Sequence, residues 1–172
     1  MKTVFLLRHA KSSWDHPHLT DSQRPLAPRG RKAAPRVGAY MANNSLIPDR
    51  VLCSTARRAL ETWDLVSAHL GSSIQVEIRD DLYDASPGSL LSNLQDLPDS
   101  EETVLLVGHN PTFEELAFAL AGGGRAESLE ELGRKYPTGG LAILDFPVDS
   151  WSEVREGMGF LRNFILPRAL RS

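Results

Sequence analysis

A chain of 172 residues, 41% of them hydrophobic, has apolar material for one core, so a single domain over residues 1–172 is expected. Its net charge of −3 gives no general attraction to polyanions, which sets aside nucleic acid and acidic membranes as partners. The lone Cys53 excludes an internal disulfide and a cysteine zinc cluster, and the apolar run after Met1 is too short for a signal sequence. A cytoplasmic location follows as an expectation.

Along the chain, TVFLL (3–7), RVLC (50–53), IQVEI (74–78), TVLLVG (103–108) and LAILDF (141–146) are apolar runs of the kind found in strands covered on both faces. Helical patterns lie between them. RGRKAAPRVGAYMANN (29–44) is one, with Pro35 requiring a late start or a kink. In the second, Leu60, Trp63, Val66 and Leu70 recur at helical spacing, with Ser54 or Thr55 as N-cap and Gly71 as stop. The third starts with Asn110 as N-cap and Pro111 as first helical residue, and stops at Gly122. Residues 12–28 and 122–140 read as long loops, the latter with a short helix near Ser128–Arg134. The segment 151–170 closes the core, as strand or helix. Strands alternating with helices predict a three-layer α/β/α fold around a mainly parallel sheet.

Ligands of such sheets sit beyond the carboxyl ends of the strands. Three runs end there in chemistry: RHAK after the first, CSTARR after the second and GHNP after the 103–108 run. Two histidines and several arginines thus converge on one edge, and two helix N-termini add unpaired amides. The edge suits an anion. An imidazole among guanidinium groups has its pKa lowered by like charge, which keeps it neutral and nucleophilic while the same groups neutralise a phosphoryl oxygen. His9 is the candidate nucleophile and Arg8 a phosphate clamp.

LLRHAKSSW, CSTARRALET and LLVGHNPT, in that order, resemble the histidine phosphatase superfamily over roughly residues 1–146, which implies a phosphoglycerate mutase-like fold. The resemblance implies that Arg8 and His9 form the Arg-His pair and that His9 becomes phosphorylated. It places the second arginine at Arg58, before Ala59, and leaves Arg57 as a solvated helix charge. His109 matches the second histidine, which binds phosphoryl oxygens, and Asn110 and Lys11 join it as substrate-binding candidates. The family's acid, carried on a Leu-x-Glu segment, falls on Asp84 in LYDAS, with Asp81 as runner-up and a solvated acidic loop as the third reading.

Ala10 after the Arg-His pair, RPLAPRG, LYDAS and YPTGGLAIL look most like the SixA-type phosphohistidine phosphatases. That branch implies a phosphohistidine-bearing protein as substrate, no cofactor and no metal, with a monomer favoured. A phosphorylated small molecule or a phospho-Ser/Thr/Tyr protein is the alternative, and a non-catalytic phosphoanion-binding module a further one. Lys11, Arg24 and Arg29 are candidates to receive an acidic partner; Arg24 has an equal claim to anchoring its loop to Asp21. Asp15, His16 and His18 lie close together but lack further ligands at zinc spacing. GGGR (122–125) lacks the Gly-Lys-Ser/Thr ending of a phosphate loop.

Overall fold

A computed structural model of the protein describes residues 1–71 and 73–170. Among the described residues seven strands form one sheet: β1 (Lys2–Arg8), β2 (Arg50–Ser54), β3 (Gln75–Arg79), β4 (Thr103–Gly108), β5 (Ala121–Gly124), β6 (Leu141–Phe146) and β7 (Gly159–Ile165). The same residues hold five α-helices: α1 (Pro28–Asn43), α2 (Arg57–Ser67), α3 (Pro87–Gln95), α4 (Thr112–Leu120) and α5 (Ala126–Arg134). The strand order is β3-β2-β4-β1-β6-β7-β5. β1 to β4 pair in parallel, and β6 runs antiparallel to both β1 and β7.

The pleat sends alternate side chains of the central strands to opposite faces, and each face builds its own core. Phe5, Leu7, Cys53, Leu105 and Val107 pack with Val37, Met41, Trp63 and Val66 of α1 and α2. Val4, Leu6, Leu52, Val104 and Leu106 pack with Leu90 and Leu94 of α3, Leu116 and Leu120 of α4 and Leu132 of α5. This is the expected three-layer α/β/α arrangement. No helix among the described residues is long and apolar enough to cross a membrane.

Several local expectations change. α1 starts early, at Pro28, and runs through Pro35. α2 begins after Ala56, because Ser54 and Thr55 spend their hydroxyls elsewhere: Thr55 donates to Asp80 Oδ1 (2.9 Å), and Ser54 turns to His109. Pro111 rather than Asn110 precedes α4, whose first residue is Thr112. Asn110 still caps, one position out, by accepting from Glu114 N (3.2 Å). β3 is an edge strand with Val76 and Ile78 exposed, so IQVEI is not covered on both faces. An ion pair between Arg50 of β2 and Glu77 (3.1 Å) bridges it to its neighbour, and Arg79 pairs with Glu77 within the strand (2.9 Å). Ala121–Gly124 does more than stop a helix: it pairs with β7, which settles the C-terminal segment as a strand.

Candidate active site

β1 and β4 lie side by side with Arg8 opposite Gly108, so the next residues, His9 and His109, leave the sheet at the same edge. His9 N donates to Gly108 O (2.9 Å), and the two imidazole centroids stand 5.2 Å apart. β2 flanks β4 on its other side and delivers Ser54 to the same edge, while α2 brings in Arg58 in its first turn. The loop before β6 closes the remaining flank. Gly139 N donates to the carbonyls of both Arg8 and His9 (3.0 Å each), at φ +75°, a backbone conformation that glycine adopts without steric cost.

His9 is 6% exposed, and its Nδ1 lies 2.8 Å from Ala10 O. A carbonyl only accepts, so Nδ1 carries the proton and Nε2 keeps its lone pair. Burial pushes the His9 pKa down to about 3, with smaller contributions from His109, Arg58 and Arg8. Desolvation thus outweighs like charge, the cause expected from the sequence. Either way the ring is neutral near pH 7 and carries a nucleophilic nitrogen.

His109 is lowered to about 4, again chiefly by burial and then by Arg58. Its Nε2 is 2.8 Å from Ser54 Oγ, which itself accepts from Ala56 N (3.2 Å). Ser54 is fully buried, and among the described residues Nε2 is the one acceptor its hydroxyl reaches, so the hydroxyl donates to Nε2 and the ring proton of neutral His109 resides on Nδ1. That atom is buried with no partner. Two other buried side-chain nitrogens share this condition among the described residues: Arg8 Nε and Arg58 Nε. All three belong to one edge. Leaving a buried donor unpaired costs about 1–3 kcal/mol, so three together mark a place shaped for an acceptor with several oxygens.

Other nitrogens of each guanidinium are held by protein. Arg8 Nη1 donates to Tyr136 O (2.8 Å), and its pKa is lowered by burial. Arg58 gives Nη1 to Asp21 O (2.7 Å) and Nη2 to Asp21 Oδ2 (2.9 Å). Asp21 in turn accepts from Tyr83 OH and from Arg24 Nε (3.2 Å). The Tyr83 hydrogen bond first, then Arg58, hold its carboxyl down at about 2.

Comparison with known proteins gives this edge a context. Residues 4–93 match the family described as histidine phosphatase superfamily (branch 1). The chain belongs to the histidine phosphatase superfamily. An uncharacterised protein of Mycobacterium tuberculosis is 38% identical to this superfamily member over 164 residues, covering 94% of this chain and 100% of that one. A structure designated phosphohistidine phosphatase SixA, from Agrobacterium tumefaciens, matches with a TM-score of 0.82 at 31% identity, covering 96% of this chain and 98% of the other. One from Nakamurella multipartitia with the same designation gives 0.82 at 28%, with 96% of each chain covered. The superfamily and these neighbours support a hydrolase of the phosphatase class.

Four predicted residues, Arg8, His9, Arg58 and His109, meet at this edge of the superfamily member. The others are placed differently. Asp84 is exposed and forms no ion pair among the described residues, and Asp81 is turned to Arg79 (2.8 Å). Asn110 spends its amide on the protein, donating to Tyr136 O (3.1 Å), the same carbonyl that Arg8 uses. It thus braces the carbonyl that also holds Arg8, with one of its two amide N–H groups. Lys11 is exposed and lines a separate cleft along α1. Arg24 is buried against Asp21, Ser12 Oγ (2.9 Å) and Ser13 O (3.0 Å), which settles it as a loop anchor. Arg57 pairs with Glu61 on the helix surface (3.0 Å). His16 and His18 are exposed, their ring centroids 6.3 Å apart.

The sequence reading missed Ser54 and Asp21 as supports of the site, together with Glu61 and Thr62. Thr62 Oγ1 accepts from Ala10 N (3.0 Å), and Glu61 Oε1 from Leu26 N (2.8 Å), so this pair ties α2 to two loops around the site. The RALET motif carried a signal for both. Nothing local to Asp21 distinguishes it from any loop aspartate.

Proposed function

We propose that the protein hydrolyses phosphohistidine on a protein substrate through a covalent phosphohistidine on His9, without a metal ion. The observation that carries the phosphoryl-transfer reading is the convergence of three unpaired buried donors, Arg8 Nε, Arg58 Nε and His109 Nδ1, beside a neutral His9. In the first step the Nε2 lone pair of His9 forms the N–P bond while the bond to the leaving nitrogen breaks, and the departing imidazole takes a proton from solvent. The three donors bind the phosphoryl oxygens and stabilise the charge on them. Nδ1–H, held on Ala10 O, steadies the cationic imidazole that results. Water then attacks phosphorus, releases phosphate and returns His9 to its neutral form.

The carboxylates around the edge favour a leaving group that needs little acid assistance. Asp21 is held ionised by Tyr83 and Arg58, Asp81 is engaged by Arg79, and Asp84 has no partner that aims it at His9. An imidazole, with a reference pKa of about 6.5, leaves once protonated, whereas a sugar alkoxide requires a positioned acid. Asp84 remains the proposed acid for ester substrates, and its exposure predicts that it serves them poorly.

Phosphate release tests the reading with a phosphohistidine peptide, an aryl phosphate and a sugar phosphate, in excess chelator, for the wild type and His9→Ala. The expected result is chelator-resistant, His9-dependent turnover that ranks the sugar phosphate last. Abolition by chelator overturns the metal-free mechanism, and equal rates for the two proteins overturn the assignment of His9.

A further inference from the structure

A second concentration of positive charge adjoins the site without belonging to it. A cleft of about 800 Å³ runs between α1 and the segment after α5, lined among the described residues by seven cationic side chains against a single carboxylate, Glu131. Arg134 and Arg168 are engaged by that carboxylate (3.0 and 3.5 Å). The other five, Lys11, Arg29, Lys32, Arg36 and Lys135, have no ion-pair partner among the described residues. Elsewhere on the described surface Arg50, Arg57, Arg79 and Arg162 are paired, and the unpaired Arg31, Arg125 and Arg155 do not line the cleft. In a chain of net charge −3, this is a local excess that intramolecular pairing does not explain.

The cleft and the site share a wall. Lys11 lies two residues beyond His9, and its carbonyl accepts from Ala27 N (2.8 Å) at the start of α1. Gly30 lets the helix press on that backbone: a Cβ there would fall 2.2 Å from Lys11 O. On the opposite side, Pro137 and Thr138 line the cleft, while the preceding Tyr136 carbonyl holds Arg8 and the following Gly139 amide holds the carbonyls of Arg8 and His9. A ligand in the cleft therefore lies next to the phosphoryl position.

We propose that this cleft docks an acidic surface of the protein that carries the phosphoryl group. The proposal rests on the function proposed above and names the partner chemistry of that site. Arg29, Lys32 and Arg36 lie on one face of α1 across seven residues, about 10 Å of helix axis, with Lys135 facing them from the other wall. Charge spread in this way, on exposed and flexible side chains, suits an extended run of carboxylates. A compact polyanion would instead be gripped by converging buried donors, as at His9. Solvated cations of this kind raise the encounter rate with an acidic partner and orient it, and salt weakens their effect.

The test uses two peptides, each with one histidine phosphorylated by phosphoramidate, one flanked by Glu and the other by Lys, with an aryl phosphate as control. Binding of the unphosphorylated forms is read separately by fluorescence anisotropy. For the wild type, kcat/KM for the Glu peptide should exceed that for the Lys peptide by about tenfold or more, mainly through KM, and the ratio should shrink as salt rises. The double variant Arg29→Glu/Lys32→Glu should remove the preference in both turnover and anisotropy while leaving aryl phosphate hydrolysis unchanged. The milder Arg29→Gln/Lys32→Gln should reduce it, which guards against a folding defect in the charge-reversed protein. Failure to turn over either peptide, with charge-dependent binding intact, sinks the phosphohistidine reading and leaves the cleft. Equal binding of the two peptides, or a preference that survives charge reversal, sinks the cleft. So does tripolyphosphate that alters aryl phosphate hydrolysis in the wild type and not in the charge-reversed variant, because the cleft would then hold a small anion.

Discussion

The arginines of the active edge and those of the α1 cleft carry the same charge under opposite conditions. Arg8 and Arg58 are clamped at one end by Tyr136 O and by Asp21, and each keeps a single buried N–H without a partner. Arg29 and Lys32 are exposed and unpaired, and are free to change rotamer. Charge that must meet a transition state is dehydrated and held still, whereas charge that must attract a partner remains in water. The two regions should therefore respond differently to mutation, pH and salt.

The largest effect is expected at the nucleophile: His9→Ala should lower kcat by about 10³-fold or more on every substrate, measured by phosphate release. Arg58→Ala should follow, with a loss of about 10²- to 10³-fold in kcat/KM for the aryl phosphate, because a preorganised donor to the phosphoryl group disappears. A cleft substitution that cost as much on that small substrate would erase the distinction between the regions. Asp21→Ala should cost about tenfold by freeing Nη2 of Arg58, while Nη1 keeps the backbone carbonyl of residue 21, and Asp21→Asn, which keeps a side-chain acceptor, should cost less. If the two are equal, Asp21 acts through its charge and not by positioning Arg58.

The pH response sharpens the contrast further. The folded pKa values of His9 and His109, about 3 and about 4, lie below the ordinary histidine value of 6.5. Between those limits the unfolded chain binds more protons than the folded one, so this contribution to stability is complete above 6.5 and is lost as pH falls toward 4 and then 3. Thermal unfolding should show Tm falling between pH 7 and about pH 5, with a shallower fall in His9→Asn. Over the same range His9 should remain neutral in the folded protein, so its titration should add no acid limb to kcat/KM. The smallest effect is predicted at α1: Arg29→Gln should leave the pH dependence of Tm unchanged.

The legible parts of the site were those written in contiguous residues. A buried strand running into Arg8-His9 and a second into Gly108-His109 each combine an apolar run with an abrupt polar ending, and the resemblance to the superfamily separates Arg58 from its neighbour Arg57. Their supports were not legible for the same reason. Asp21 reaches Arg58 across 37 residues of chain, and Ser54 reaches His109 across 55, through contacts that exist only once the sheet has formed. Ser54 was also open to a local reading as a helix cap, which the tertiary contact overrides. The run Ala121–Gly124 has no side-chain pattern and becomes a strand through its partner β7, so periodicity could not find it. α3 is a different case: Ser86 caps it, Pro87 begins it, and Leu90 and Leu94 are buried one turn apart, all visible in the sequence.

The alignment of Arg8 with Gly108 also bears on how activity is acquired. The two histidines are separated by 100 residues of sequence and meet only through the pairing of β1 with β4, a distant contact whose loop-closure entropy must be overcome before the sheet's centre can form. A nascent chain released before β4 would own the motif-bearing first half and still lack half of the imidazole pair. Regain of turnover during refolding would then serve as a clock for the closure of the central sheet.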